Sequence, residues 1–410
     1  MSAPGPSDYI ARIEGDLLRN ILPFWMGRVV NTDGGFFGSI TNDLVVDRAA
    51  ERGALLTSRI LWTFSAAYVH YGDPAYLAAA GHAYADLAGN FRDREDGGFW
   101  WSIAADGAVV RDRKQVYGQA FAVYALAEYH EASGLREPLE MAKATYALIE
   151  AHARDRVHGG YLEAFSRAWE PIADMRLSAV DMNEPKSQNT HLHVMEAYAR
   201  LFVLWPDPSL RQALADLVGV MLGRIVNPAT GHLGLFFSED WALRSDRVSY
   251  GHDIEAAWLL CRSAEVLGDP GLAATIRPLA VRIAEATLGE GVDSDGGVYN
   301  EGGPAGLTNT DKEWWPQAEA IVGFINAFEI SGEERFLEAA FRAWDFVELR
   351  LIDRKRGEWY RGVTRDGRML DNELKVSFWK CPYHNGRTGL EAVRRLRQIE
   401  AARSQTILPQ

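Results

Sequence analysis

Only two cysteines occur in 410 residues, Cys261 and Cys381, far apart and outside any Cys-x-x-Cys spacing. That excludes a disulfide framework and a thiolate metal site, and it fits a reducing cytoplasm. Basic residues are in the minority: 43 Lys and Arg stand against 56 Asp and Glu, a net charge of -13, and no Lys/Arg block stands out. A nucleic-acid partner would need a clustered basic face to displace counterions, so that class is excluded. No stretch approaches the roughly 20 apolar residues that cross a bilayer, and Met1 to Arg19 lacks the charged and apolar regions of an export signal. The expectation is a soluble cytoplasmic protein without a membrane partner.

At 47% hydrophobic and 24% charged residues, the composition supplies a large core and leaves little room for disorder. Aromatics are the notable excess, with 13 Trp, some paired as Trp100-Trp101 and Trp314-Trp315. Large rings serve core packing, and they also serve stacking against sugar faces.

Glycine-aromatic turns recur at Gly34-Gly35-Phe36-Phe37, Gly97-Gly98-Phe99-Trp100, Gly159-Gly160-Tyr161, Gly231-His232-Leu233-Gly234, Gly296-Gly297-Val298-Tyr299 and Gly357-Glu358-Trp359-Tyr360. Their spacing of roughly 60 to 70 residues signals an array of similar units. Between them apolar residues recur at three and four, as in Ile60-Leu61-Phe64-Tyr68 and Phe324-Ala327-Phe328, so each unit offers about two helices. Polar-aromatic stretches such as Phe99 to Gly107, Phe236 to Asp240 and Trp359 to Asp366 look like small hairpins. The expected fold is all-α: six helix pairs in a closed (α/α)6 barrel, with short β-hairpins in the loops at one end, spanning 1–410 as one domain. An open solenoid is the alternative. The least regular stretch, Asp174 to Gln188, reads as a loop before a helix, and long loops on rigid scaffolds often carry function.

Four polar clusters fall where helices are expected: Ser58 to Trp62, Asn189 to His193, Tyr250 to Glu255 and Pro382 to Arg387. A central cavity would collect them from separate repeats. His252 and Glu255 are three apart on one helical face, so the carboxylate can orient the imidazole as a general base. His191 and His193 point about 200° apart on a helix, so at most one faces the cavity. Glu196, three beyond His193, marks His193 as that one and leaves His191 to packing. His384 lies near a helix start, where the dipole favours the neutral, proton-accepting ring. The histidines and glutamates also suit a zinc or non-haem iron site, although there is no His-Glu-x-x-His. Glu313, Glu319 or Asp253 could equally serve a glycoside hydrolase.

Five ordered blocks narrow these alternatives. Arg59 to Tyr68 (RILWTFSAAY), Asn189 to His193 (NTHLH), Gly251 to Glu255 (GHDIE), Trp314 to Glu319 (WWPQAE) and Lys380 to Arg387 (KCPYHNGR) resemble the N-acylglucosamine 2-epimerase superfamily over nearly the whole chain. Within it the chain looks most like the cellobiose 2-epimerases. The resemblance implies an (α/α)6 barrel that converts the reducing-end glucose of a β-1,4-linked disaccharide to mannose, with no metal, nucleotide or other cofactor. It assigns His252 and His384 as the acid/base pair, Glu255 as the partner of His252, His193 as the residue assisting ring opening, and Arg59 as the charge that stabilises the intermediate. It also implies that Tyr117, Asn189, Trp315, Trp379 and Glu319 bind substrate.

The physical requirement agrees. Epimerisation beside a carbonyl means opening the hemiacetal, removing the carbon-2 proton, and returning one to the opposite face of an enediol or enediolate. Two bases on opposite walls of a cavity suffice, with Arg59 near the developing oxyanion. Gly386 stands where the cellobiose enzymes lead one to expect serine, and Gln188 where methionine is usual. The sugar thus stays open between disaccharides such as cellobiose and lactose and free monosaccharides, on which a mannose 2-epimerase or mannose-fructose isomerase would act. A glycosidase or non-catalytic sugar-binding protein is a more distant reading. The expected partner is a small carbohydrate, and the protein itself a monomer or homodimer.

Overall fold

The computed structural model describes residues 5–32 and 34–407. Its helices, in chain order among these residues, are α1 (Pro6–Asp16), α2 (Ala54–Tyr71), α3 (Pro74–Asp86), α4 (Val116–Ser133), α5 (Arg136–Leu148), α6 (Gln188–Leu204), α7 (Pro208–Val220), α8 (Tyr250–Leu267), α9 (Pro270–Ala286), α10 (Trp314–Ser331), α11 (Glu334–Phe346) and α12 (Tyr383–Ile407). The odd-numbered helices each run on into a wider five-residue π-turn, for example Leu87–Phe91 after α3 and Met221–Ile225 after α7.

The even-numbered helices form the inner ring: α2 packs on α4, α4 on α6, α6 on α8, α8 on α10, α10 on α12, and α12 back on α2. Each odd-numbered helix from α3 to α11 lies outside the inner helix that precedes it, while α1 covers α12. The ring is therefore closed, an (α/α)6 barrel whose seam joins the first helix to the last. Inner helices are buried on nearly every side, as in α4, where all residues from Val116 to Tyr129 are buried. A helix enclosed all round needs small and apolar residues all round, and the alanines of that stretch meet the need.

The two ends of the barrel differ. At one end inner and outer helices are joined by tight turns: Gly72, Gly134, Gly268 and Gly332 take the left-handed conformation that ends a helix. In the turns Gly72-Asp73-Pro74 and Gly268-Asp269-Pro270, the aspartate then caps the next helix and proline occupies its first position. At the other end long connections carry seven small antiparallel sheets of two or three strands. Ser102–Ile103 pairs with Val109–Arg111 as a local hairpin, whereas Phe236–Phe237 pairs with Lys186–Ser187 and Gly362–Val363 with Lys312–Glu313. Locally Phe237 also bridges Leu243 and Val363 bridges Met369, and Ser102–Ile103 also pairs with Arg52–Gly53, so all three hairpins expected from sequence form and each takes a further strand from the preceding repeat.

The glycine turns after the first are tied to the ring in two repeated ways. Asp93, Asp155 and Asp353 cap the turn backbone with one oxygen and take a lysine ammonium, of Lys114, Lys186 and Lys375 respectively, with the other. These lysines are fully buried and survive there because they are paired. The fourth residue of the following inner helix then receives a backbone N–H from the turn: Gln119 from Phe99, His191 from Tyr161, Asp253 from Leu233 and Gln317 from Val298. In α12 that position is Gly386, which has no side chain to offer. The turn residue Glu358, at φ 63° where the first three repeats place a glycine at positive φ, supplies the carboxylate for Trp359 N–H instead.

Candidate active site

The four polar clusters lie in the first half of inner helices and so converge at the end of the barrel that carries the long loops. There Arg59, Tyr117, Asn189, His193, His252, Glu255, Trp315, Trp379 and His384 line one cavity, with Glu313, Trp314 and Arg361 completing the wall. Of the sequence-derived site residues only Glu319 stays outside it, fully buried behind His384.

Trp315 stands between the two histidines, its ring centroid 4.5 Å from that of His252 and 5.7 Å from that of His384. Their supports differ. His384 Nδ1 lies 2.7 Å from Glu319 Oε1, whose carboxylate also accepts from Trp258 Nε1 and Arg387 Nη2. A carboxylate only accepts, so the Nδ1 hydrogen stays on His384 and Nε2 keeps its lone pair. His252 Nδ1 lies 2.8 Å from Ser249 Oγ, and a hydroxyl either donates or accepts. Either tautomer of His252 is therefore accommodated.

This corrects one expectation. Glu255 is not the partner of His252: its Oε1 accepts from Arg387 Nη2 at 2.6 Å, and its Oε2 has no hydrogen-bond partner. The three-residue spacing made the pair available, but the guanidinium is the stronger attraction in a dry interior. A second correction concerns Glu319, which holds His384 rather than lining the cavity.

Arg387 is the hub of the floor, bonded to Glu196, Glu255 and Glu319. Three carboxylates on one guanidinium do not all ionise. Burial raises Glu255 well above the usual carboxylate range, and the neighbouring Glu319 charge adds to it; burial raises Glu319 too, against the Arg387 charge, but less far. Burial also works to raise Glu196, but the Arg387 charge overrides it and pulls the group down to about 2. The ionised Glu196 accepts the Nδ1 hydrogen of His193 at 2.9 Å, which leaves His193 Nε2 for the cavity. Ligand atoms of Glu255, Glu319 and His384 converge within 4.8 Å, a spacing suited to a cation, and the Arg387 guanidinium supplies that charge already.

Arg59 is buried, and its nearest polar partners are the Tyr117 hydroxyl at 2.7 Å and Cys381 Sγ at 3.8 Å. Phe121 and Tyr383 present ring faces to it. Among the described residues no carboxylate pairs with it, which makes it an uncompensated positive charge at the cavity. The imidazoles carry no charge of their own. Burial, with the repulsion that protonated His193 and His384 rings would add, lowers His252 to about 3, and burial with the Arg59 and Arg387 charges puts His384 well below the ordinary histidine range.

His191 is spent on the fold: Nδ1 meets Ser187 O and Nε2 accepts from Tyr161 N–H. Ser249 and the hub role of Arg387 were not singled out from sequence. Ser249 was within reach, since it precedes His252 by three residues. The reach of Arg387 to helices α6, α8 and α10 has no local signal.

The cavity measures about 150 Å³ and opens onto a cleft of about 180 Å³ that shares Asn189, His252, Glu313 and Trp315 with it. The cleft's far wall is the 175–184 loop, with Phe236, Arg247 and Glu301 opposite. Small-molecule sites start at roughly 300 Å³, so the two spaces make an ordinary site only together.

Comparison with known proteins agrees with this geometry. The family profile of N-acylglucosamine 2-epimerase (GlcNAc 2-epimerase) matches residues 35–385. A cellobiose 2-epimerase of Bacteroides fragilis is 43% identical, covering 92% of this chain and 97% of its own. One from Ruminococcus albus is 38% identical, with 94% and 98% covered. The solved cellobiose 2-epimerase of Spirochaeta thermophila superposes with a TM-score of 0.89 at 42% identity, covering 96% of this chain and 98% of its own. With its closed helical ring and its histidine-lined cavity, the chain belongs to the N-acylglucosamine 2-epimerase family and is a carbohydrate 2-epimerase, an isomerase.

Proposed function

We propose that this protein interconverts glucose and mannose at the reducing end of β-1,4-linked disaccharides, cellobiose and lactose among them, by a two-histidine mechanism without metal or nucleotide. The observation that carries the reading is the pair His252 and His384, uncharged, flanking Trp315 in one cavity, each held at Nδ1 so that Nε2 is left for substrate. The cleft adjoining the cavity supports a two-ring substrate, and the cellobiose 2-epimerases named above point the same way. The reading treats 1–410 as one domain.

The steps follow from the protonation states. His193 Nε2 takes the anomeric hydroxyl proton as the ring opens, and Glu255, in the protonated form that burial favours, supplies one to the ring oxygen. His384 Nε2, with its lone pair, removes the carbon-2 proton and becomes an imidazolium facing the Glu319 carboxylate. The electron pair moves to the carbonyl oxygen, and the enediolate faces Arg59, which needs no reorganisation to meet it. The negative charge of the enediolate draws a second proton onto His252 from solvent, and the resulting imidazolium, its Nδ1–H donating to Ser249 Oγ, protonates carbon-2 from the other side and returns to the neutral ring, while His384 releases the proton it took to solvent. In the reverse reaction the two histidines exchange roles. Tyr117, Asn189, Trp315 and Trp379 hold the sugar.

Incubating the purified protein with cellobiose or lactose in heavy water is expected to yield a mannose-ended product with deuterium at carbon-2, read by NMR. No product and no exchange from either disaccharide overturns the proposal, and turnover of free mannose alone replaces it with a monosaccharide epimerase or isomerase. Loss of activity on chelation, restored by added metal, overturns the metal-free part.

A further inference from the structure

Glu313 occupies an unusual place for a carboxylate that the steps above do not use. It lines both the inner cavity and the outer cleft, and among the residues common to the two it is the sole carboxylate. Its backbone is fixed, since Glu313 pairs with Gly362 across a two-stranded sheet and precedes the first residue of α10. Arg361 immediately precedes the neighbouring strand, its carbonyl accepts the Trp314 N–H, and its guanidinium lies 5.3 Å above the Trp314 ring. The two charges do not close on each other. Arg361 Nη2 is 3.8 Å from Glu313 Oε2, outside hydrogen-bonding distance, while Arg361 Nε turns to Glu373 at 3.0 Å. An acceptor and a donor thus stand side by side, held apart, where the inner cavity meets the outer cleft.

We propose that Glu313, with Arg361 behind it, is a specificity-determining pair that reads the hydroxyl groups on either side of a glycosidic bond and so favours two-ring substrates over one-ring substrates. The inference rests on the disaccharide reading given above. A carboxylate accepts from two hydroxyls at once and the guanidinium donates to a third oxygen, the pattern by which vicinal sugar hydroxyls are recognised. Burial, moderated by the Arg361 charge, raises the Glu313 carboxyl above its usual range, in keeping with a group that lacks a close cation until substrate arrives.

The alternative is indirect: Glu313 also hydrogen-bonds the Trp315 side chain and could act only by holding that ring between the histidines. The experiment compares wild type, Glu313→Ala, Glu313→Gln and Arg361→Met on cellobiose and on free mannose, reading kcat and KM separately by NMR, with thermal melting to verify folding. The pair predicts that Glu313→Ala lowers kcat/KM on cellobiose by about tenfold more than on mannose, chiefly through KM, with Arg361→Met in the same direction and Glu313→Gln, which keeps one acceptor oxygen, intermediate. An equal loss on both sugars, or a loss confined to kcat, overturns it in favour of the Trp315 role. Wild-type protein without disaccharide turnover overturns this inference and the functional reading together, whereas normal wild-type turnover with an unchanged cellobiose-to-mannose ratio overturns this inference alone. If Glu313→Ala does not fold, Glu313→Gln and Arg361→Met carry the same comparison.

Discussion

His384 and His252 face one cavity but stand on different supports. Behind His384 lies a buried lattice of Glu319, Arg387 and Trp258, charged and fixed; behind His252 lies one serine hydroxyl. The carboxylate commits its imidazole to one tautomer, and the hydroxyl leaves the other ring a choice. A reversible epimerase needs both properties: a base ready in one direction, and a partner able to arrive with or without its proton.

Removing the rings themselves is the bluntest test of that comparison. His384→Ala and His252→Ala are each expected to lower kcat/KM by about 10²- to 10⁴-fold, the usual worth of a positioned general acid or base. Unaltered melting would assign the loss to chemistry, and retention of activity by either variant would break the pairing. Next come the supports. Glu319→Gln should cost about 10- to 100-fold, because it removes the fixed acceptor for His384 and leaves the Arg387 charge under-compensated. Ser249→Ala should cost less, about tenfold or below, since water can replace a hydroxyl at a cavity edge. Equal losses would mean the two corners are alike after all.

Helix α6 carries a smaller version of the contrast. His193→Ala is expected to reduce turnover with folding retained, whereas His191→Ala strands the Tyr161 N–H and should cost about 1–3 kcal/mol of stability in a denaturant titration, with a smaller effect on turnover. The reverse pattern would exchange their assignments.

The remaining contrast is in the dependence on acid. His252 and His191 are lowered to about 3 and about 4 in the folded chain, against about 6.5 when unfolded. Below that value the unfolded chain binds protons that the folded chain refuses, so this stability is complete above pH ~6.5 and falls as the pH drops toward the folded values. Melting temperatures measured from pH 7 to 4 should decline accordingly, and His191→Asn should flatten the slope. A melting temperature that rises with acid contradicts the assignment of neutral rings.

Much of this was legible in the sequence, for reasons that also explain what was not. Six glycine-aromatic turns gave the repeat and the ring, because a residue that must take positive φ leaves a local mark. The clusters around His193, His252 and His384 were legible because a helix brings neighbours three and four apart onto one face. Glu255 was misread by that same rule, which states what is within reach but not which of two partners wins. Glu319 lies 65 residues from His384, and only the closed ring brings them together. The Asp-Lys ties and the fourth-position caps escaped notice because each is ordinary in isolation, and Glu358 is intelligible only once Gly386 is seen to have left its turn without a cap.

The seam that brings α1 against α11 and α12 has a consequence for how the chain is made. The apolar side of α1, with Tyr9 stacked on Phe341 and Arg12 bridging Asp345 and Glu348, finds its partners only after more than 300 further residues have been synthesised. Loops that long close slowly. Helix α1, made early, is thus among the last elements to dock, and the cavity acquires its full wall at about the moment that His384, one residue into α12, emerges to take its place.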